Sequence, residues 1–388
     1  MKINNFWQLL LLFGAVEMKK ESSKSRFDRR CVEMVRNVLE GRSTIKGEVY
    51  KTRDPKMYHR LIHTVVENHE LLLDVIKKCK YMEDDQELGI VKCFEIIDRR
   101  IRNTRMYKKF MKALNGRKLR LTKPCVFVRI NALKNGTEED ISTLSYEKTC
   151  IEGVYKVLDS KDMISSPGYR DGKFIIQNIS SCLPAYILNP REGSRVIDTC
   201  SAPGNKTSQL SMIMKNTGKI YAFEKSESRA KTLQLQLERL GVSNTEVIEG
   251  DFMKASPEDF KNIDYILCDP SCSGSGMHLG YRKDEKRIES LKLFQIAIVK
   301  HAFKFEPEKL VYSVCSDHKE EGEEVVEEVL KDSAYELEDI SRFWSASCPF
   351  ESPFSQEVIR CKRNDKGATG FFVALFTKKK PCQVSGAR

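Results

Sequence analysis

The sequence lacks both glycine-rich loops that most often bind phosphate groups in proteins. Its glycines do not form the G-x-G-x-x-G pattern, and no G-x-x-x-x-G-K-[ST] stretch is present. These absences argue against dinucleotide and nucleoside triphosphate ligands. Zinc-ligand spacing is also absent, because Cys268 and Cys272 are spaced C-x3-C and no second cysteine pair follows. We therefore predict no metal site.

Acidic residues are too few to balance the basic ones. The chain has 66 Lys and Arg against 55 Asp and Glu, a formal net charge of +11. This excess favours an anionic partner, with nucleic acid ahead of a membrane or an acidic protein. The 13 cysteines also lack the dense, even spacing of a secreted disulfide framework. We therefore expect a reducing compartment in which thiols are available for chemistry.

One hydrophobic run near the N-terminus needs an interpretation. Residues 6–16 resemble the apolar core of a signal peptide, but the run is too short to span a bilayer as a helix and no small-x-small cleavage site follows. We interpret it as a short buried helix or as a non-native extension upstream of a start at Met18, with a functional signal as the less favoured alternative. Residues 1–26 are predicted to be a poorly defined extension, and no membrane association is expected.

Residues 27–118 have few glycines or prolines and show apolar residues at helical spacing, which predicts a helical region. At its end, residues 99–123 hold eleven Lys or Arg and no Asp or Glu, with Tyr107 and Phe110 interleaved. So dense a basic stretch favours contact with RNA or DNA phosphates over a merely solvated helix. The candidate RNA-binding residues are Arg99, Arg100, Arg102, Arg105, Lys108, Lys109, Lys112, Arg117, Lys118 and Arg120.

The rest of the chain divides by pattern into a small module and a larger domain. Residues 119–171 combine strand-like alternation at 123–133 with a helix expected to open on Thr137, which predicts an α+β module. Between residues 172 and 380, apolar strands alternate with helical patterns, which is typical of a parallel sheet covered by helices on both faces. This is the pattern of an α/β fold. Residues 381–388 form a tail.

The ends of the predicted strands carry acidic side chains and a tight turn. The first strand ends in DTCSAPGNKT, in which Pro203 and Gly204 shape a turn that allows close backbone approach before a helix. Glu224 ends the second strand, and Asp251 follows the third. Ligands of open α/β sheets bind outside the carboxyl ends of the strands, so these residues predict a nucleoside pocket. A loop with one glycine beside a proline suits a ligand without phosphates, of which S-adenosylmethionine is the common one.

Two later strands each end near a cysteine, in YILCDPSCSGSGM (265–277) and in LVYSVCSD (310–317). We expect them to bring Cys272 and Cys315 to one place. A single cysteine at a strand end is more often a small buried hydrophobe. Beside a nucleoside pocket, however, a thiolate can add to carbon 6 of cytosine and make carbon 5 nucleophilic, while a second group assists release. The pair therefore favours cytosine methylation.

An acidic run, KEEGEEVVEEVL (319–330), follows the second of these strands. Its charges predict the solvated face of a helix.

Three motifs, DTCSAPGNKT, CDPSCSGSG and VYSVCS in this order, resemble the signature motifs of the Sun-domain RNA cytosine-5 methyltransferases. The similarity extends upstream to GKFIIQNISS and downstream to ATGFFVALFTK, so it covers most of residues 120–380. The resemblance implies a Rossmann-like, S-adenosylmethionine-dependent methyltransferase domain, preceded by a small α+β RNA-binding module and an N-terminal helical region. The implied product is 5-methylcytosine in RNA.

The resemblance also implies roles for single residues. Cys315 matches the nucleophile and Cys272 the cysteine that releases the methylated product; DNA methyltransferases attack from the earlier cysteine, so the reverse assignment is the alternative. Asp269 matches the residue that contacts the target cytosine, and Lys206 the lysine beside cofactor and base, where its charge favours a thiolate. The implied cofactor-binding residues are Cys200, Ser201, Ala202, Pro203, Gly204, Asn205, Lys206, Glu224, Asp251 and Asp269.

Four positions depart from the family pattern. Val314 stands where threonine is usual, Asn205 where a second glycine is usual, and Pro270-Ser271 where alanine-proline is usual. Val314 keeps the branched shape, so we expect activity. The DPSCSGSG and PGNKT variants resemble the branch that modifies large-subunit ribosomal RNA. That branch implies rRNA or a pre-ribosomal particle as the partner and a nuclear, nucleolar location. No oligomeric interface is visible in the sequence, and a monomer is favoured.

Three alternatives stay open. A catalytically silent RNA-binding ribosome-assembly factor of the same fold is supported only by Val314. The same chemistry on tRNA is not distinguished by the sequence. Methylation of an exocyclic amine is disfavoured, because Ser271 and Cys272 stand where an aromatic residue would stack on the base.

Overall fold

The structure of the chain is a computed structural model. It describes residues 23–40, 43, 45–49, 51–52, 55–82, 84–98, 104–119, 125–158, 163–277, 283–331, 333–344, 353–354, 356–363 and 365–379. The described residues form two compact units, the first ending at residue 119 and the second starting at residue 125. Among them, no helix is both long enough and apolar enough to cross a membrane.

The first unit is built from helices around one apolar core, as the periodicity of this region predicts. Ile62, Leu72, Phe94 and Phe110 are among its fully or almost fully buried side chains. Its described helices are α1 (Ser23–Leu39), α2 (Ile45–Val49), α3 (Pro55–Glu67), α4 (His69–Cys79), α5 (Gln86–Asp98) and α6 (Arg105–Leu114).

The second unit opens with a small antiparallel sheet in the order β2-β3-β1-β4. Its strands are β1 (Val126–Ile130), β2 (Tyr146–Lys148), β3 (Val154–Val157) and β4 (Phe174–Ile176). Although β4 lies after residue 171, it pairs with β1 and not with the larger sheet, because Phe174 is fully buried in the core of the module. The helix expected at Thr137 is a single 3-10 turn, Glu138–Ile141, that opens with a capping box.

Eight strands form the main sheet of the second unit. They are β5 (Arg195–Asp198), β6 (Lys219–Glu224), β7 (Thr245–Glu249), β8 (Tyr265–Cys268), β9 (Lys309–Val314), β10 (Tyr335–Leu337), β11 (Ile359–Cys361) and β12 (Phe371–Lys378). The order is β10-β12-β9-β8-β5-β6-β7, with β11 paired to β12. Strands β5 to β9 are parallel, and β12 is antiparallel to its neighbours. The predicted Rossmann-like α/β fold is confirmed.

Both faces of the main sheet are buried at its central strands. All four residues of β8 are buried, with Tyr265 and Leu267 in one apolar cluster and Ile266 and Cys268 in another on the opposite face. This explains the continuous apolar runs of the central strands. The helices of the second unit are α7 (Pro167–Arg170), α8 (Ile179–Leu188), α9 (Asn205–Ile213), α10 (Glu227–Arg239), α11 (Glu285–Phe303) and α12 (Glu323–Leu330).

Two buried polar side chains join the small module to helices of the main sheet. Arg129 on β1 donates to Ser208 Oγ at 3.0 Å and to the carbonyl oxygen of Asn205 at 3.2 Å. Asn131 donates to the carbonyl oxygen of Leu240 at 2.8 Å. Burial lowers the pKa of Arg129 to about 10. Because breaking these contacts would leave buried polar groups unpaired, the module and the main sheet form one unit.

The turn after β5 depends on one carboxylate and one glycine. Asp198 ends β5, is 1% exposed, and accepts a hydrogen bond from Thr207 Oγ1 at 2.7 Å. Burial raises the pKa of Asp198 to about 6, although the Thr207 hydrogen bond opposes this. Gly204 has a φ of 103°, and a Cβ there would lie 2.9 Å from Leu233 Cδ1. These residues fix the path from β5 into α9.

Replacing Asp198 with Asn should change how stability depends on pH. A carboxyl whose pKa is raised in the folded state stabilises the fold only while it is protonated. Its contribution to the free energy of unfolding is therefore fully present below about pH 4 and is lost as the pH rises past 6. Relative to Asp198→Asn, the unfolding free energy of the wild type should therefore fall by up to about 3 kcal/mol over this range. Urea unfolding at several pH values measures this difference. Parallel curves for the two proteins would contradict it, and the exposed Asp259→Asn serves as control.

Candidate active site

A cavity of about 400 Å³ lies at the carboxyl ends of β5, β6, β7, β8 and β9. This is the edge where open α/β sheets bind ligands, next to the place where the strand order reverses between β5 and β8. The volume is typical of small-molecule sites. The predicted site residues that line the cavity are Cys200, Ala202, Glu224, Asp251, Asp269, Cys272 and Cys315.

All three lining carboxylates, Glu224, Asp251 and Asp269, are among the residues predicted to bind a cofactor, and Glu224 ends β6 while Asp251 follows β7. Glu224 is buried, accepts a hydrogen bond from the N–H of Ser226 at 3.0 Å, and pairs with Arg229 at 3.2 Å. Asp251 is exposed and accepts from the N–H of Met253 at 3.0 Å. Each carboxylate has about four acceptor positions. Both can therefore still accept hydrogen bonds from ligand hydroxyl groups.

The remaining residues of the predicted cofactor loop shape its backbone and do not line the cavity. Ser201 is buried and donates its hydroxyl to the last carbonyl of β5, while Pro203 is exposed. Gly204 is the N-cap of α9, and Asn205 is the first residue of that helix. Burial raises the pKa of the lining residue Cys200 to about 12, so this thiol is a neutral part of the wall.

An apolar wall completes the cavity and was missed by the sequence analysis. Phe223, Phe252, Phe294 and Ile298 line it, together with the exposed Arg229. The position of Phe223 directly before Glu224 at a strand end is a local signal. Phe294 and Ile298 lie one turn apart on α11, far along the chain from any motif, and only the packing of α11 brings them here.

The cysteines that follow β8 and β9 meet at the cavity. The two strands are parallel neighbours, with Cys268 opposite Tyr312, and the sulfurs of Cys272 and Cys315 lie 3.1 Å apart. The hydrogen bond from Cys272 lowers the pKa of Cys315, while the same bond, together with burial, raises the pKa of Cys272. A single negative charge shared by this pair is therefore favoured on Cys315.

A partly buried ion pair lies beside the two thiols. Lys206 Nζ is 2.6 Å from Asp269 Oδ2, and Ser313 donates to Asp269 Oδ1 at 2.8 Å. Burial alone would lower the pKa of Lys206, but the charge and hydrogen bond of Asp269 raise it, so the ammonium group stays charged. The Cys272 hydrogen bond, which has the largest effect, and the Lys206 charge lower the pKa of Cys315, while burial and the Asp269 charge oppose them. Sequence analysis did not find Ser313, which sits two residues before the thiol.

Part of the acidic run after β9 is buried, so the interpretation as a solvated helix face is wrong there. Residues Lys319–Glu321 form a 3-10 turn, and α12 begins at Glu323. Glu321 and Glu323 are 0% and 4% exposed. Glu323 pairs with the buried Arg360. The charge pattern did not reveal these buried partners because they come from distant parts of the chain.

The predicted RNA-binding stretch is described in part, and its described portion belongs to the first unit. Four exposed cations share one face of α6 at three- and four-residue spacing: Arg105, Lys108, Lys109 and Lys112. Lys118 is exposed, and Arg117 pairs with Asp74 at 2.5 Å. Outside the described residues lie Arg99, Arg100, Arg102 and Arg120.

Comparison with known families identifies relatives of the chain. The family model of the 16S rRNA methyltransferases RsmB/F matches residues 185–377. The 28S rRNA (cytosine-C(5))-methyltransferase of Mus musculus is 35% identical over 288 residues, 65% of this chain and 62% of that protein. The 26S rRNA (cytosine-C(5))-methyltransferase nsun-5 of Caenorhabditis elegans is 33% identical over 296 residues, 66% of this chain and 67% of that protein. The alignment thus spans less than two thirds of the mouse relative.

Among solved structures, that of NSun6 from Pyrococcus horikoshii with SFG superposes with a TM-score of 0.59 and 21% identity, over 74% of this chain and 98% of that chain. This likeness concerns the fold alone. The family assignment rests on the sequence matches. Residues 185–377 contain all three motifs that surround the cavity. On these grounds the chain belongs to the Sun-domain, RsmB/F-type family of RNA cytosine-5 methyltransferases.

Proposed function

We propose that this protein methylates carbon 5 of a cytosine in RNA, with S-adenosylmethionine as the methyl donor and large-subunit ribosomal RNA as the substrate. The observation that carries this proposal is the 3.1 Å separation of two sulfurs, Cys272 and Cys315, beside a cavity of nucleoside size. The mouse and worm relatives are named for methylation of 28S and 26S rRNA, which favours rRNA over tRNA. The enzyme would then act in the nucleolus, on rRNA or a pre-ribosomal particle.

The cavity fits the cofactor that this reaction needs. Glu224 and Asp251 line it with carboxylates that can accept from ribose hydroxyls, and Phe223 and Phe252 supply apolar surface for a base. Gly204 permits the tight turn that precedes α9. S-adenosylmethionine supplies an electrophilic methyl group when bound. We assign the loop at residues 200–206 and these two carboxylates to cofactor binding.

Cys315 is the nucleophile in this proposal. Its thiolate adds to carbon 6 of cytosine, and the displaced electron pair makes carbon 5 nucleophilic. The hydrogen bond from Cys272 and the charge of Lys206 both favour the thiolate. The amino group of cytosine is a hydrogen-bond donor, and the Asp269 carboxylate is an acceptor at the cavity. We therefore assign Asp269 to binding of the target base.

Cys272 is assigned to product release. Once carbon 5 carries the methyl group, its proton passes to a base, the carbon 5–carbon 6 double bond re-forms, and the sulfur of Cys315 leaves with the bonding electrons. The thiol of Cys272 is within hydrogen-bonding distance of that leaving sulfur, so it can stabilise the departing thiolate. Without Cys272, elimination slows and the adduct accumulates.

The exposed cations of α6 are proposed to contact RNA phosphates. They share one face of the helix, whereas Phe110 and Leu114 are buried on the other side. We extend this assignment to the other predicted basic residues and to the small α+β module as the RNA-binding part of the chain. A target cytosine must leave its stack to reach the cavity, which favours single-stranded or remodelled RNA.

The two cysteines should have separable effects on the reaction. With S-adenosylmethionine and large-subunit rRNA that lacks the modification, Cys315→Ala should give neither 5-methylcytosine nor a covalent adduct. Cys272→Ala should leave protein attached to RNA, because release is impaired after attack. Denaturing gels and nucleoside analysis measure the two products. As a control, the exposed Cys150→Ala should behave like the wild type.

The opposite pattern, with an adduct from Cys315→Ala alone, would reverse the roles of the two thiols. Methylation of tRNA but not rRNA would contradict the substrate class. Absence of methylation and adduct with both RNAs would contradict the proposed activity.

The pH dependence of alkylation should report the thiol pair without any RNA. Because the Cys272 hydrogen bond lowers the pKa of Cys315, alkylation of Cys315 by iodoacetamide should reach half its maximal rate at a lower pH than N-acetylcysteine does. In Cys272→Ala this midpoint should rise, since the bond is lost. Peptide mass spectrometry measures the rates. An unchanged midpoint in the variant would contradict the proposed hydrogen bond.

Neutralising part of the α6 face should weaken RNA binding in a salt-dependent manner. Each phosphate contact on a single strand contributes roughly 0.7 to the slope of log affinity against log salt concentration. Replacing Lys108, Lys109 and Lys112 with Gln should therefore make this slope less steep by about 2. Binding titrations at several salt concentrations measure the slope. An unchanged slope would contradict phosphate contact. The matched control removes the same charge from other helices of the first unit, by replacing the exposed Arg29 and Arg36 of α1 and Arg60 of α3 with Gln.

A further inference from the structure

Glu321 is a fully buried carboxylate that contacts the loops of both cysteines. Its Oε1 accepts hydrogen bonds from the backbone N–H of Ser273 at 2.8 Å and from Gln295 Nε2 at 3.0 Å. Its Oε2 accepts from the hydroxyl of Ser316 at 2.6 Å. Ser273 directly follows Cys272, and Ser316 directly follows Cys315. One side chain therefore joins the residues next to the two thiols.

A second contact ties the other side of Cys272 to the same carboxylate. Gln295 on α11 donates to Glu321 and also to the carbonyl oxygen of Ser271 at 3.0 Å. The loop that carries Cys272 is thus held at Ser271 and at Ser273. The backbone of Glu321 is held too, because its carbonyl oxygen accepts from the Tyr312 hydroxyl on β9 at 2.7 Å.

Hydroxyl groups fill the space between the two loops. The Ser273 and Ser316 hydroxyl oxygens are 3.2 Å apart, and Ser275 lies 3.2 Å from Ser316. All three serines are buried. A carboxylate placed among these donors is satisfied, whereas loss of the carboxylate would leave a buried N–H and a buried amide without their acceptor. Glu321 therefore has a hydrogen-bond partner in the loop of each cysteine, Ser273 in one and Ser316 in the other.

We propose that Glu321 is a positioning residue that sets the separation of the Cys272 and Cys315 sulfurs by clamping their two loops together. This proposal rests on the proposed function, since it concerns the same pair of thiols. Its chemical consequence is for release: the leaving sulfur of Cys315 receives its hydrogen bond only while Cys272 is held close. The negative charge of Glu321 also contributes to the raised pKa of Cys272, after the Cys315 hydrogen bond and burial.

Three substitutions separate the length, charge and hydrogen bonding of Glu321. Glu321→Gln keeps the length and the acceptor toward Ser273 and Gln295, and its amide can donate to the Ser316 oxygen. Glu321→Asp keeps the charge but is one methylene shorter, so it cannot reach both loops. Glu321→Ala removes every contact. The matched control is Glu320→Ala, the preceding residue, whose carboxylate pairs with Lys283 away from the thiols.

The separation of the thiols can be tested without RNA. Phenylarsine oxide bridges two neighbouring thiols: both lose their protons, two arsenic–sulfur bonds form, and the oxygen leaves as water. We would treat the full-length protein with this reagent and map the bridged peptide by mass spectrometry. Wild type, Glu320→Ala and Glu321→Gln should retain the arsenical on the Cys272–Cys315 pair. Glu321→Asp and Glu321→Ala should lose retention by about tenfold or more, because misplacement by about 1 Å has large effects on paired groups.

Kinetics distinguish a positioning role from a general loss of structure. In the Asp and Ala variants kcat should fall on the order of tenfold to hundredfold, with the KM for RNA unchanged and more covalent adduct present at steady state. Glu321→Gln should recover most of kcat. If Glu321→Ala does not fold, the test rests on kcat of Glu321→Gln against that of Glu321→Asp. Equal thermal unfolding midpoints of these two variants show that a difference in kcat does not come from lost stability.

The outcomes divide clearly. The clamp would be overturned if Glu321→Asp kept arsenical retention and kcat within twofold of the wild type. It would also be overturned if Glu321→Gln lost as much retention and kcat as Glu321→Asp. If the wild type bridges the arsenical but methylates no RNA, the proposed function fails, and the arsenical comparison alone decides whether Glu321 sets the thiol separation.

Discussion

The parallel pairing of β8 with β9 is the constraint on which the site depends. With Cys268 opposite Tyr312, both strands end at the same edge of the sheet, and the loops that follow leave it side by side. Neither cysteine belongs to a strand, so the strands bring the loops close but do not set the final distance between the sulfurs. That distance depends on hydrogen bonds among the loops, and Glu321 contacts both of them.

The two thiols have similar chemistry but different surroundings. Cys315 accepts a hydrogen bond and feels the positive charge of Lys206, whereas Cys272 donates that bond and feels the negative charge of Glu321. The Asp269 charge raises the pKa of both thiols. Opposite pKa directions follow from this asymmetry, and they agree with an attacking role for Cys315. This physical argument is independent of the family resemblance, which implies the same assignment. Of the ion pair beside them, the Lys206 charge lowers the pKa of Cys315 and the Asp269 charge raises it.

Buried polar groups are concentrated around this edge of the sheet. Asp198 fixes the turn into α9, Arg129 holds the first residue of that helix from the small module, and Glu321 joins the cysteine loops. Such groups are costly to bury and are retained only with their partners in place. Here each holds a backbone segment that carries a residue of the site. These buried groups therefore preorganise the backbone around the cavity.

The sequence by itself determined the α/β class, the sheet edge at which the cavity lies and the two cysteines that line it, because strand periodicity and motif residues are local properties of the chain. It did not determine that β4 joins the small sheet, since pairing depends on the burial of Phe174. It also did not show that Glu321 is buried, because charge in a run gives no information on partners such as Ser273 and Gln295. Ser273 lies 48 and Gln295 26 residues earlier in the chain, so only the tertiary structure places them around one carboxylate.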